Sequence, residues 1–283
     1  MGVLYVVATP IGNLEDITLR ALRVLREVKW IAAEDTRTTA KLLARYGIHT
    51  PMVSFFDHNE LIRLDEILRA LEVQDVALVS EAGMPTISDP GYRLVQAAVA
   101  QGAAVVAIPG PSAVVAALAV SGLATDSFLF FGFLSRRHSA RLKQLAAVAD
   151  QKATLVCFEA PHRLLAALHD IHDVLGDRRL AVACELTKMY EEVWRGTACE
   201  AIARFTQSPP RGEYTLVLEG APVESAWDEG RVSAMLTDLI QSGMSRRDAA
   251  ARIAGLAHWP KRSVYRLATK DSTNTDAMEL NDA

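Results

Sequence analysis

The sequence predicts an α/β protein built from two open-sheet domains, with a small helical module behind them. Three observations predict it. Short apolar, β-branched runs alternate with helix-patterned segments, the signature of βαβ units. Polar loops rich in Gly, Pro, Asp and Glu recur where those apolar runs end. From about residue 226 the pattern changes to helices alone, rich in Lys and Arg. The 283 residues exceed what one ordinary core holds. Half are hydrophobic and 23% charged, a globular composition. The formal net charge of −4 carries no global sign of nucleic acid, but its distribution does.

Residues 2–8 (GVLYVVA) read as a buried parallel strand, followed by the TPIGN turn. Asp16 is positioned to cap a helix over residues 17–28. Residues 30–33 form a second strand, ending in Glu34-Asp35-Thr36-Arg37, and a helix then runs to Tyr46 and stops at Gly47. Residues 52–56 are a third strand that ends in DHNE, followed by a helix to Leu71. Residues 75–79 (DVALV) are a fourth strand, leading into SEAGMPTISDPG, residues 80–91. A helix over 91–101, a strand over 104–108 and the PGPSA turn before an Ala/Val-rich helix complete the first unit. The alternation implies parallel βαβ units. Five polar loops on one sheet edge favour a binding cleft over five unrelated turns, because ligands of open α/β sheets sit beyond the strands' carboxyl ends.

Residues 122–126 (GLATD) read as a domain junction. The second unit has strands over 128–133, 154–158, 179–184, 191–195 and 213–219, with helices ending near 149 and 175 and another after 195. The expected domains are 1–121, 122–222 and a basic helix-turn-helix-like module over 226–270. That module has helices over 231–241, 246–257 (Ser245 as cap) and 261–270. The tail over 271–283 is acidic and reads as disordered.

Several chemistries are unsupported. TPIGN lacks the lysine of a phosphate-binding Walker loop, and no GxGxxG follows the first strand. No nucleophile elbow appears. Cys157, Cys184 and Cys199 lack metal or disulfide spacing, and no His/Cys/Asp pattern matches a metal site, so no metal is expected. No signal-peptide pattern and no apolar run of the ~20 residues that span a bilayer is present, so a cytoplasmic location is expected.

Ionisable residues cluster at strand ends. Glu34 and Asp35 in the first unit, and Glu159, Glu185 and Lys188 in the second, are the candidate acid–base groups, with the choice among them open. Arg136, Arg137, Arg141 and Lys143 form a run without an acid, which favours phosphate contact over a mixed-sign solvated face. Residues 245–270 carry seven Lys/Arg against one Asp, with Arg262 and Arg266 on one helix face.

The segments TPIGNLEDIT, IAAEDTRTT, DHNE, ALVSEAGMPTISDPGY, IPGPSA, GFL, FEAPHRLL, ELTK and GEYTLVLEG occur in this order from about residue 4 to 220. In that ordered set the sequence resembles the bacterial small-subunit ribosomal RNA (16S rRNA) cytidine 2′-O-methyltransferases, of the tetrapyrrole methylase-like (class III) methyltransferases. The resemblance implies two α/β domains with S-adenosylmethionine (AdoMet) in the cleft between them, a homodimer, and methyl transfer to a ribose 2′-hydroxyl at the decoding centre of the 30S particle. It implies cofactor contacts at Pro10, Glu81, Gly83, Met84, Ser112, Ala113, Phe158, Tyr214, Thr215 and Leu216. Glu81 and Met84 depart from the family's usual Asp and Thr. Arg37 and Arg163 are further candidates to hold RNA phosphates, beside Arg136, Arg137, Arg141, Arg262 and Arg266. Two alternatives stand beside this reading: a tetrapyrrole (precorrin-type) methyltransferase, and a non-catalytic RNA-binding ribosome assembly factor.

Overall fold

A computed structural model describes residues 1–56, 59–222, 227–257 and 259–270. Asp57 and His58 of the DHNE segment and the acidic tail lie outside the described residues. The chain divides into two compact units, Met1–Ala221 and Pro222–Ala283.

The first unit contains two five-stranded sheets. Strands β1 (Val3–Val7), β2 (Trp30–Ala33), β3 (Met52–Ser54), β4 (Val76–Val79) and β5 (Ala104–Ile108) pair in the order β3-β2-β4-β1-β5, all parallel. Helices α1 (Leu19–Glu27) and α2 (Thr36–Arg45) cover one face, while α3 (Glu60–Leu71) and α4 (Tyr92–Ala100) cover the other. Strand β4 shows why the sheet needs both layers. Ala77 and Val79 join the core under α1 and α2, and Val76 and Leu78 join the core under α3 and α4. A strand's side chains alternate in this way, so a run of four apolar residues demands cover on both sides. The cap of α1 is Thr18, whose Oγ1 accepts from the Ala21 amide at 3.1 Å, rather than Asp16. Asp16 instead closes a short 3₁₀ turn at residues 14–16.

The second sheet comprises β6 (Phe128–Phe133), β7 (Thr154–Glu159), β8 (Arg179–Cys184), β9 (Glu192–Thr197) and β10 (Tyr214–Leu218), in the order β6-β7-β10-β8-β9. Only β6 and β7 are parallel, and the other three pairings are antiparallel. The parallel βαβ pattern read for the first sheet does not extend through the second. Strands β8 and β9 are joined by a short loop with no crossover helix, which only an antiparallel pair allows. Helices α6 (His138–Ala146), α7 (Pro161–Leu175) and α8 (Ala198–Gln207) pack on one face of this sheet. Its other face receives α5 (Ala113–Ser121), which follows the last strand of the first sheet. Val114, Ala117 and Leu118 of α5 share one core with Val156, Ala181, Ala183 and Val217.

The second unit consists of α9 (Glu229–Gln241), α10 (Arg246–Ala257) and α11 (Lys261–Lys270) around Val232, Leu236, Ile253, Val264 and Leu267. Arg246, Arg247, Arg252, Lys261, Arg262 and Arg266 are all exposed.

Not every base of the 136–143 run faces solvent. Arg141 is 5% exposed, and its Nε donates to Asp170 Oδ2 of α7 at 2.5 Å while Nη1 donates to the Ser135 carbonyl. Its assignment to RNA contact is corrected, because its place on α6 turns it toward α7. Removing one member of a buried pair leaves an uncompensated charge, at a cost of about 3–5 kcal/mol. Asp170→Ala should lower unfolding stability by that amount in urea titration, and Arg141→Met/Asp170→Leu together should recover most of it.

Candidate active site

Eight loop or strand-end segments of the first unit converge on a cavity of about 570 Å³. From the first sheet come Pro10, Ile11 and Gly12 after β1, Glu34 and Thr38 after β2, the 81–89 loop after β4, and Ser112 and Ala113 after β5. From the second come Phe133 at the end of β6, Phe158 to Pro161 at the end of β7, Leu186 and Lys188 after β8, and Glu213 to Thr215 at the start of β10.

The loops are tied to one another. Thr9 and Gly83 exchange backbone hydrogen bonds at 2.8 and 3.0 Å, with Gly83 at φ +82°. The Glu81 amide donates to Glu34 Oε2 at 3.0 Å, and Thr38 Oγ1 donates to Glu81 Oε1 at 3.3 Å. Glu81 thus stands at the cavity wall with one oxygen engaged by α2. Across the cavity, the Asn13 amide donates to Thr187 Oγ1 at 3.1 Å. Gly12 lies so close to the 186–188 loop that a Cβ there would sit 2.4 Å from Lys188 Cγ and 3.0 Å from the Leu186 carbonyl oxygen. Among the described residues, the non-glycine positions at positive φ are Thr86, Ser88, Glu185 and Thr187. All four belong to the two loops on opposite sides of the cavity, and such backbone costs of order 1–3 kcal/mol each unless its surroundings hold it.

The five acid–base candidates separate clearly. Glu34, Glu159 and Lys188 line the cavity; Asp35 and Glu185 do not. Asp35 caps α2, accepting from the Arg37 and Thr38 amides at 2.7 and 3.2 Å, and pairs with the Arg37 guanidinium at 3.0 Å. These bonds, the guanidinium's first, hold its pKa down at about 2, which makes it a poor proton acceptor. Glu185 packs against Gly212, accepts from the Glu213 amide at 2.9 Å and pairs with Lys188 Nζ at 2.9 Å. Lys188 Nζ also reaches Glu213 Oε2 at 3.1 Å. Burial opposes its charge, while the two carboxylates together hold its pKa above the usual lysine value. Glu159 has a wholly buried side chain. Its Oε1 takes both the Ala160 amide at 2.7 Å and Arg163 Nη2 at 2.6 Å, leaving Oε2 with no partner. Desolvation raises its pKa against the pull of those donors.

Of the residues expected to contact a cofactor, Pro10, Glu81, Gly83, Met84, Ser112, Ala113, Phe158, Tyr214 and Thr215 all line the cavity, and Leu216 does not. Leu216 shares its face of β10 with Tyr214 but lies one repeat further along the strand, in the core beneath α7 and α8. Of the bases expected at RNA, Arg136 and Arg137 are exposed, and so is Arg37, whose side chain is 89% accessible beside Asp35. Arg163 is turned inward, its side chain only 15% exposed, and a phosphate contact from it is corrected to a structural pairing with Glu159. Thr38, Ile87 and Phe133 also line the cavity and went unread in the sequence. The only signal for Phe133 was its place in GFL, just before the basic run.

The family model of the tetrapyrrole (corrin/porphyrin) methylases matches residues 3–202. The ribosomal RNA small subunit methyltransferase I of Synechocystis sp. is 47% identical over 272 residues, spanning 95% of this chain and 98% of that protein. The protein of that name from Bacillus subtilis is 42% identical, spanning 94% and 93%. This chain belongs to the ribosomal RNA small subunit methyltransferase I family. Within the tetrapyrrole methylases that family shares its fold with a uroporphyrin-III-C-methyltransferase from Thermus thermophilus, at a TM-score of 0.55 and 23% identity over 77% of this chain and 94% of that one. The methyltransferase CobJ superposes at a TM-score of 0.61 with 19% identity, covering 78% and 95%. In this member of the methyltransferase I family, the nine cavity-lining positions named above come from segments far apart in the chain. Among the described residues, no group of three or more His, Cys, Asp or Glu is placed to hold a metal ion.

The depressed Asp35 pKa gives a titration test. Its contribution to the α2 cap is complete above the ordinary carboxylate value of about 3.9 and is lost as pH falls through about 2. Carboxyl-detected NMR should place the Asp35 midpoint near 2, and Arg37→Gln should move it upward.

Proposed function

We propose that the protein transfers the methyl group of AdoMet to the ribose 2′-hydroxyl of a cytidine in small-subunit ribosomal RNA at the decoding centre, working as a homodimer on the 30S particle in the cytoplasm. The observation that carries this reading is convergence: TPIGN, SEAGMP, PGPSA, FEAP and ELTK, five family segments, meet at one cavity.

The residues present fit AdoMet. The cavity volume lies within the 300–1,000 Å³ typical of sites for ligands of that size. Ser112 makes no side-chain cap at the start of α5, so the helix's first amides are left to a ligand carboxylate. Glu34 and Glu81 offer negative charge to a cationic ligand, and Ile11, Met84, Phe158 and Leu186 offer apolar surface to a purine. Pro10, Gly83, Ala113, Tyr214 and Thr215 complete the walls. When bound, AdoMet supplies an electrophilic methyl group on a sulfonium.

The chain's own residues then have three tasks. The tied loops hold the acceptor oxygen in line, and alignment supplies much of the rate in such a displacement. Glu34, which lines the cavity beside Glu81, accepts the hydroxyl proton; Asp35 and Glu185 stand outside the cavity wall, and the Glu159 side chain is wholly buried. Lys188, held cationic by Glu185 and Glu213, stabilises the oxygen as its charge develops. The exposed arginines of the helical unit supply phosphate contacts, as do Arg136 and Arg137.

Glu34→Gln should lower methyl transfer to small subunits from a strain lacking the enzyme by about 10²–10⁴-fold at saturating AdoMet. Asp35→Asn should stay within about tenfold of wild type, and equal losses in the two variants would remove Glu34 from the role. For the helical unit, Arg262→Ala/Arg266→Ala in the full chain should leave AdoMet affinity unchanged in calorimetry. It should flatten the log–log salt dependence of particle binding by roughly 0.7 for each phosphate no longer neutralised. An unchanged slope would take those two arginines out of the RNA interface.

A further inference from the structure

We propose that Phe133 is a stacking platform for an unpaired RNA base at the cavity mouth, with Arg136 and Arg137 holding the adjoining phosphates. This deepens the reading of the acceptor as RNA and rests on it.

Phe133 is apolar yet 54% exposed, and it lines the cavity. The chain aims it there. Its neighbour Gly132 lies at φ +71°, where a side chain would be strained, and the pairing of β6 with β7 shifts register between Phe130 and Phe133. Such a bulge re-aims the residue that follows, and bulges recur beside active sites. Without it, alternation would put Phe133 on the other face of the strand.

The displaced ring is held in place. Phe158 lies beneath it, ring centroids 5.3 Å apart, and Phe158 is braced in turn by Phe130 at 5.0 Å. Gln144 of α6 donates to the carbonyls of Phe131 and Phe133 at 3.4 and 3.3 Å and accepts from the Ser135 amide at 2.9 Å. The bulge is thus stitched to α6, and part of the ring stays open to solvent.

The cations that follow decide the occupant. Arg136 and Arg137 are exposed and join no ion pair among the described residues. A half-exposed aromatic ring a few residues from guanidinium groups is the combination that binds single-stranded nucleic acid, one part stacking a base and the other neutralising backbone. A ribose can present its hydroxyl inside a cavity only if its nucleotide leaves the helical stack, and the base then needs a new surface. Phe133 provides that surface in the cavity that Glu34 and Lys188 also line.

The test uses full-chain Phe133→Ala, Phe133→Leu and Phe133→Trp, with methyl transfer to small subunits from a strain lacking the enzyme and AdoMet affinity by calorimetry. Alanine and leucine should raise KM for the particle roughly ten- to hundredfold, the range of base–aromatic stacking. Tryptophan should stay within about threefold of wild type, and AdoMet affinity should change less than about threefold in all three. Leucine keeps the apolar bulk without the π face, so it also decides the matter if alanine fails to fold. A wild-type KM in the leucine variant would overturn stacking while leaving RNA as substrate. A collapse of AdoMet affinity would overturn it by assigning Phe133 to the cofactor. No transfer to ribosomal RNA by the wild-type protein would overturn the RNA reading and the platform together.

Discussion

Helix α5 follows the first sheet in the chain but buries Val114, Ala117 and Leu118 against the second. That packing is the constraint on which the cavity depends. The loop before α5 leaves β5 of the first sheet, while the body of α5 is part of the second sheet's core. The uncapped start of the helix is therefore held where the strand ends of both sheets face each other. The sheet face covers Val114, Ala117 and Leu118, while Val115 and Val120 on the far side of α5 stay exposed. The close approach of Gly12 to the 186–188 loop sets the distance across the opposite side of the cavity.

Charge is distributed by the same logic of burial. Arg141 with Asp170 and Arg163 with Glu159 place four ionised or ionisable groups inside the second sheet's helix layer. Their geometry is demanding, because a buried charge is tolerated only when paired and hydrogen-bonded. Glu159 shows the limit: both of its donors converge on one oxygen, the other is bare, and its proton is held more tightly than usual. The Glu159–Arg163 pair lies at the turn from β7 into α7, while Glu34 and Lys188 line the cavity from loops of the two sheets.

Much of the fold was legible in the sequence because its signals are local. Apolar runs such as VALV at residues 76–79 read as buried strands, and Gly47 marks where the helix before it stops. The strand-end loops were legible for the same reason, and nine of the ten expected cofactor positions line one cavity. What failed depended on facing. Leu216 sits beside Thr215 yet looks the opposite way, and Arg141 sits in a basic run yet turns inward to Asp170. Neighbouring residues share a composition but not a direction, and direction is set by strand alternation and by which helix packs alongside.

By itself the sequence determined the order and type of the elements, the polar loops at strand ends and the basic character of the C-terminal helices. Each of these is written within a few turns of chain. The tertiary structure alone decided that the second sheet is mainly antiparallel, that α5 joins it, and that a bulge at Gly132 swings Phe133 to the cavity mouth. Those outcomes rest on packing between residues far apart in the chain. No local pattern records which distant partner buries a given face.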